Sequence, residues 1–354
     1  MVLNKNFWQN KKVFVTGHTG FKGSWLVLML KQLGAQVAGY SIDIPTKPSL
    51  FEICDVKSCL QKDIRGDICD HEKIKKELND FKPEVLFHLA AQPLVRLSYK
   101  DPFTTYNTNV MGTLSVLMGA HQCESLSSIV NITTDKCYDN KEWEWGYREN
   151  DSLGGHDPYS SSKGCAEILS SSIRKSFLLK SGKNMATARA GNVIGGGDFA
   201  DDRIVPDFMR ALEKNVELEI RSPQAVRPWQ HVMEPLSGYL QLAERLHNDA
   251  SFSEAWNFGP EDSDCRSVDY VVKTLHKLLP EHKGIKNVGS QNQPHEATFL
   301  KLDCSKAKTR LKWAPKLNIE TALELTAKWY SIYLHEPSES KKLTNQQIQN
   351  FLGA

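Results

Sequence analysis

Lys12-Val-Phe-Val-Thr-Gly-His-Thr-Gly-Phe-Lys-Gly-Ser-Trp-Leu-Val-Leu28 sets three glycines, Gly17, Gly20 and Gly23, between an apolar run and a stretch of helical character. A chain that leaves a buried strand and enters a helix within so few residues must turn sharply, and Gly17 permits that turn. Gly20 lets the backbone approach a phosphate, Gly23 lets the helix pack on the strand, and the helix N-terminus turns unpaired N–H groups toward an anion. Thr19 and Phe21 share this loop. The pattern is that of a dinucleotide pyrophosphate site. Tyr159-Ser-Ser-Ser-Lys163 adds to its weight. Four residues place a phenol and an ammonium on one helical face, where the cation favours phenolate.

Outward from the glycine turn, short apolar strands recur at 12–16, 37–40, 85–89, 129–133 and 186–189, separated by amphipathic segments. This alternation predicts an α/β fold, a Rossmann-type doubly wound parallel sheet with helices on both faces. Ligands of such sheets gather beyond the carboxyl ends of the strands. Gly17, Asp43, Ala90-Ala91-Gln92, Thr133-Thr134-Asp135 and Gly191-Asn192 are therefore expected to converge on one crevice. Residues 7–190 are expected to form the dinucleotide-binding domain, with part of 229–258 returning to it. Residues 191–340 are expected to build a smaller, mixed α/β C-terminal substrate lobe, and 341–354 a loosely attached tail or terminal helix. Asp43 stands where a carboxylate binds the adenosine ribose hydroxyls; its charge repels a 2′-phosphate, which favours NAD over NADP.

The 354 residues carry a net charge of +2 with 24% charged side chains, which points to neither a nucleic-acid nor a membrane-surface partner. No apolar run approaches the roughly 20 residues that span a bilayer, and the first residues lack a signal-peptide core. Eight dispersed cysteines include no C-x-x-C pair, against a zinc site or a disulfide framework, and a reduced cytoplasmic protein is expected. His295 and Glu296 have no third residue at ligand spacing, so no metal is expected.

In combination, the glycine turn, Leu89-Ala-Ala-Gln92, Asn107-Thr-Asn109-Val-x-Gly112-Thr113, Tyr159-x-x-x-Lys163 and Arg189-x-Gly-Asn192 resemble the extended short-chain dehydrogenase/reductases that act on nucleotide sugars. Thr134-Asp135-Lys136 is similar to the Thr-Asp-Glu of the 4,6-dehydratase branch, with lysine in place of glutamate. The resemblance implies NAD as cofactor, CDP-glucose as substrate, and a homodimer or homotetramer formed by the helix after Asp101 and the helix that carries Tyr159. It implies catalytic roles for Thr134, Asp135, Lys136, Tyr159 and Lys163. Tyr159 would take the O4 proton, Thr134 would orient O4, Asp135 would protonate the departing O6, and Lys136 would be either the C5 base or an electrostatic aid. By the same resemblance Asp67 and Ile68 contact adenine, while Ala90, Ala91, Gln92 and Thr133 flank the cofactor. Asn109 would position Lys163 through water. Asn192, Arg203, Arg227, His295 and Glu296 fall on the substrate side. A 4-epimerase would share Tyr159 and Lys163 but needs no Asp135-Lys136 pair, and a non-catalytic cofactor sensor would be expected to lose the tyrosine or lysine. Local motifs leave thymidine and guanosine open as alternatives to cytidine.

Overall fold

The computed structural model describes residues 3–289 and 297–353. Its centre is a seven-stranded sheet of β1 (Lys12–Thr16), β2 (Gln36–Ser41), β3 (Lys62–Arg65), β4 (Val85–His88), β5 (Ser128–Ile132), β6 (Asn184–Ala190) and β7 (Ala255–Phe258). The order is β3-β2-β1-β4-β5-β6-β7, with every pair parallel. Chain direction across the sheet reverses between β1 and β4, which opens a crevice above their carboxyl ends.

Five of these strands follow from the apolar runs; β3 and β7 do not. Only Ile64 of Lys62-Asp-Ile-Arg65 is buried, so this edge strand carries almost no apolar signal, and it is recruited by pairing with β2. β7 pairs with β6 after a long excursion through the second lobe.

Alternate strand residues serve opposite faces, as the pleat requires. Val13, Val15, Phe87 and Val130 pack with α1 (Phe21–Gln32) on one side, whereas Phe14, Leu86 and Ile129 pack with α2 (His71–Phe81) and α3 (Thr113–His121) on the other. Further along lie α4 (Pro158–Ile173), α5 (Ile204–Glu213), α6 (Met233–Asn248), α7 (Val268–Leu278), α8 (Ile319–His335) and α9 (Ser340–Leu352). α6 is packed with the sheet, so residues 233–258 return to it. The second lobe holds three two-stranded pieces, 193–194 with 230–231, 226–228 with 265–267, and 218–220 with 285–287, together with α5 and α7.

The C-terminal segment is a docked helix, not a loose tail. Ile348 and Phe351 of α9 are buried, and Thr344 accepts a 2.8 Å bond from Trp329 Nε1 of α8. Its polar composition hid an apolar stripe that only α1 and α8 reveal. The glycine-rich loop after β6 is clamped between the same helices. Trp25 Nε1 of α1 donates to Gly196 O at 3.0 Å, and a Cβ on Gly196 would sit 2.0 Å from the Trp329 ring. Gly196→Ala is therefore expected to lower the melting temperature, equivalent to about 1–3 kcal/mol of overpacking. An unchanged melting curve would mean that the indole yields freely.

Candidate active site

The carboxyl ends of β1 to β6 and the second lobe enclose a cleft of about 1370 Å³. At its floor Gly17 has φ +75°, and a Cβ there would meet Ala90 N at 2.7 Å. A Cβ on Gly23 would meet Gly17 O at 2.1 Å, so the turn can close only with glycine at both positions. Gly20 is the N-cap of α1 and lines the cleft together with Thr19, Phe21 and Lys22. His18, which read as a loop filler, is a brace: its ring nitrogens pair with Ser41 Oγ at 2.9 Å and Asp63 Oδ1 at 2.8 Å. Thr19 Oγ1 donates to Asp43 O at 2.6 Å and draws the end of β2 to the turn.

β1 and β4 are tied together behind the turn. Thr16 Oγ1 pairs with His88 Nδ1 at 2.7 Å and accepts from the N–H groups of Leu89 and Ala90, each at 3.2 Å. The other ring nitrogen of His88 meets Thr113 Oγ1 at 3.1 Å. Burial, assisted by the Lys163 ammonium, pulls the imidazole down to about 3, so His88 is neutral.

α4 starts at Asp157, whose carboxylate accepts from Ser160 N at 2.9 Å, with Pro158 in the first turn. Tyr159, Lys163 and Glu167 then follow at intervals of four on one face. Tyr159 and Lys163 line the cleft. Glu167 lies below it, pairing with Arg189 of β6 at 2.8 Å and accepting from Thr133 and Thr187. Glu167 stands outside the motifs and is signalled only by the 159-163-167 spacing, and Arg189, which opens the Arg189-x-Gly-Asn192 motif, is its partner.

After Thr133 the chain forms a short turn, Asp135–Cys137, with Thr134 as its cap. Thr134 Oγ1 donates to Asp135 Oδ1 at 3.0 Å and accepts from Lys136 N at 3.3 Å. Asp135 is 2% exposed, and burial pushes its carboxyl up against the opposing pull of Lys136, the Thr134 hydroxyl, Arg227 and Lys22. Burial likewise pushes Tyr159 up to about 12, opposed by a hydrogen bond with Thr134 and the charge of Arg203. Lys163 is drawn down to about 8 by burial, against Glu167 and Cys137. Lys22 is also drawn down to about 8, by burial and then by Arg203.

The cleft brings together Gly17, Thr19, Gly20, Phe21, Gly23, Asp43, Asp67, Ile68, Ala90 and Ala91 with Thr133 to Lys136, Tyr159, Lys163, Asn192, Arg203 and Arg227. Gln92 and Asn109 are placed otherwise. Gln92 braces its own loop, donating through Nε2 to Thr105 at 2.9 Å and accepting from Leu94 N at 2.6 Å. Asn109 accepts from Gln92 N at 2.8 Å and donates to Ser162 Oγ at 2.9 Å, so it binds the loop after β4 directly to α4. Both amides are spent on the backbone and on neighbours, which leaves them off the cleft wall. His295 and Glu296 lie outside the described residues. Trp229 is buried and donates to Arg266 O at 2.9 Å, and Trp143 stacks on Tyr147, so both indoles are held by protein packing. Among the described residues no cluster of three metal-ligating side chains occurs.

The shift of Lys163 is also a statement about stability. Its folded pKa of about 8 lies below the ordinary 10.5, so between those values the unfolded chain binds more protons and stability rises with pH. At pH 7 the buried ammonium costs on the order of 3 kcal/mol. Lys163→Met should raise the melting temperature of the ligand-free protein at neutral pH, with the gain shrinking toward pH 10. Loss of stability at neutral pH would contradict this balance.

Comparison with known proteins agrees with the site. The family model described as GDP-mannose 4,6 dehydratase matches residues 14–326. A CDP-glucose 4,6-dehydratase of Salmonella typhimurium is 52% identical over 339 residues, covering 94% of each chain. Among solved structures, dTDP-glucose 4,6-dehydratase of Bacillus anthracis in complex with NAD superposes with TM-score 0.76 at 22% identity, covering 94% of this chain and 99% of that one. UDP-glucose 4-epimerase of Thermotoga maritima superposes with TM-score 0.78 at 23% identity, over 92% and 100%. At such identities the two structures speak for the fold alone. The extent of the family match and the closeness of the Salmonella relative place this chain in the GDP-mannose 4,6 dehydratase family.

Proposed function

We propose that the protein is a lyase that converts CDP-glucose to CDP-4-dehydro-6-deoxyglucose and water, with NAD regenerated in each cycle. The observation that carries this reading is the Thr134-Asp135-Lys136 turn set beside Tyr159 in one buried site. A 4-epimerase needs the tyrosine but has no use for an acid beside the threonine. The choice of cytidine is supported by the 52% identical relative.

The cleft suits a dinucleotide. Side-chain-free Gly17 and Gly23 close the turn at the head of α1, and Asp43 stands at the end of β2 for a ribose diol. NAD held by this turn and by Asp43 would supply the hydride acceptor for C4 and the hydride donor for C6. The residues of the chain do the rest. Tyr159 takes the O4 proton, helped by Lys163, and Thr134 orients O4. The ketone at C4 then acidifies C5–H. Asp135, held toward its neutral form by burial, protonates O6 as it departs. Lys136 borders the cleft as C5 base or as a cation beside the enolate oxygen. Arg227 and Arg203 suit the diphosphate, whose charges their planar guanidinium groups match.

Incubation of the purified protein with NAD and a panel of glucose nucleotides should give a dehydrated product from the cytidine nucleotide, with no net build-up of reduced cofactor. Stoichiometric reduction of NAD would make the protein a simple dehydrogenase. Tyr159→Phe should bind NAD with near-normal affinity while turnover falls by about 1000-fold. Turnover within about threefold of wild type would take the base role from Tyr159.

A cytoplasmic homo-oligomer fits the surface. All eight cysteines are free, as a reducing compartment keeps them. Phe103 (89% exposed) and Met111 stand on the helical segment 102–112, which packs on α4, where Ile168 is 61% exposed. An apolar patch on paired helices suits a second copy of the chain across a two-fold axis. Phe103→Glu with Ile168→Arg should give a monomer in light scattering, whereas an unchanged mass would move the interface elsewhere.

A further inference from the structure

Gly191 directly follows β6 and borders the cleft. Its φ lies outside the left-handed region, so no turn calls for glycine here; space does. A Cβ at this position would stand 2.9 Å from Asp135 Oδ2, 2.5 Å from Pro228 Cγ and 3.2 Å from Pro228 O. The Asp135 carboxyl and the Pro228 ring thus fill the room that a side chain would take. Oδ1 of that carboxyl accepts from the Thr134 hydroxyl at 3.0 Å, while Oδ2 is buried and has no hydrogen-bond partner among the described residues.

We propose that Gly191 is a positioning residue: with the Pro228 ring it makes a seat in which Asp135 Oδ2 meets no donor, and this seat holds the carboxyl as the neutral acid that protonates O6. The proposal rests on the dehydration reading above and adds to it what keeps the acid protonated. Glycine has no side chain and proline no N–H, so the walls of the seat offer carbon surface and one carbonyl oxygen. An ionised carboxylate would place charge on an oxygen that no donor answers, which is costly, whereas the neutral acid loses much less. The Pro228 carbonyl, itself an acceptor, adds to that preference.

The charges around Asp135 act the other way. Lys22 of α1, Lys136, Arg227 and the Thr134 hydroxyl favour the carboxylate, while Tyr159 of α4, Tyr239 of α6 and Cys137 are its other titratable neighbours. Burial outweighs the three cations and pushes the carboxyl up, in agreement with the seat. Gly191 and Pro228 provide that burial at the oxygen that lacks a partner.

Gly191→Ala should push Oδ2 out of the seat toward water and the cations, and Pro228→Ala should open the seat without adding bulk. In the ligand-free protein, the infrared carbonyl band of protonated Asp135, identified by its loss in Asp135→Asn, should disappear at lower pH in both variants than in wild type, by about one pH unit or more. In single-turnover quench experiments with CDP-glucose and NAD, oxidation at C4 should stay within about threefold of wild type in both. Loss of water should slow by about tenfold or more at pH about 8 and much less at pH about 6, because a stronger acid gives up its proton to solvent first at high pH. If Gly191 only leaves room for the sugar, Gly191→Ala will instead raise KM for CDP-glucose, slow oxidation and water loss alike, and leave the band titrating as in wild type. That pattern, or an unshifted band in either variant, would overturn the seat. Should Gly191→Ala fail to fold, Pro228→Ala decides by the same two measurements. Failure of the wild type to dehydrate any glucose nucleotide would remove the reaction and leave the infrared test standing, so the two readings fail separately.

Discussion

Glu167 and Arg189 meet at 2.8 Å with 3% of each side chain exposed, between α4 and β6 and directly under the catalytic turn. Two charges taken out of water are expensive, and such a pair persists where most of its lone pairs and protons are answered; here only the guanidinium Nε has no partner among the described residues. Here Thr133, Thr187 and Arg189 supply Glu167, while Tyr138 and the Glu149 carbonyl share the guanidinium. These partners come from β6, α4 and the loop that follows β5. Their joint requirement sets where Thr133 sits, and Thr134, Asp135 and Lys136 follow from it. Because Tyr159 and Lys163 precede Glu167 by two turns and one turn of the same helix face, one anchoring point sets both halves of the site.

Above that anchor, burial works against charge. Tyr159 and Asp135 are pushed up and Lys163 and Lys22 are drawn down, so burial shifts each of these groups toward its neutral form. A site of this kind acquires its working charges together with its ligands. A nucleotide sugar brings negative charge to the arginines and lysines, and a cationic nicotinamide favours phenolate. Groups preorganised in low dielectric act more strongly on a developing charge than the same groups in water.

The second lobe takes its position from aromatic packing and not from linker chemistry. Trp25 of α1 holds the Gly196 carbonyl, Trp329 of α8 covers the same glycine, and α9 closes over both helices. Arg203 follows this loop in the chain and pairs with Asp198 at 2.8 Å, which aims its charge at Tyr159. The position of this loop against the cleft rests on two large side chains, Trp25 and Trp329, far apart in sequence.

Much of this was legible in the chain. The glycine turn, five apolar strands and the Tyr159/Lys163 pair each depend on neighbours within a few residues, because backbone sterics and helical or strand periodicity act locally. Gly23 shows it well: the contacts that forbid a Cβ there are with Gly17 and His18 of the turn itself. What the sequence alone left open depends on groups remote along the chain. β3 is a strand because β2 offers it an edge, α9 is docked because α1 and α8 present a groove, and Gln92 and Asn109 turn away from the cleft because a loop and a helix claim their amides. The local sequence therefore determined the sheet, the turn and the reacting groups, whereas tertiary packing decided which of those groups face one another and how far each is from water, since burial and hydrogen-bond partners are properties of the assembled fold.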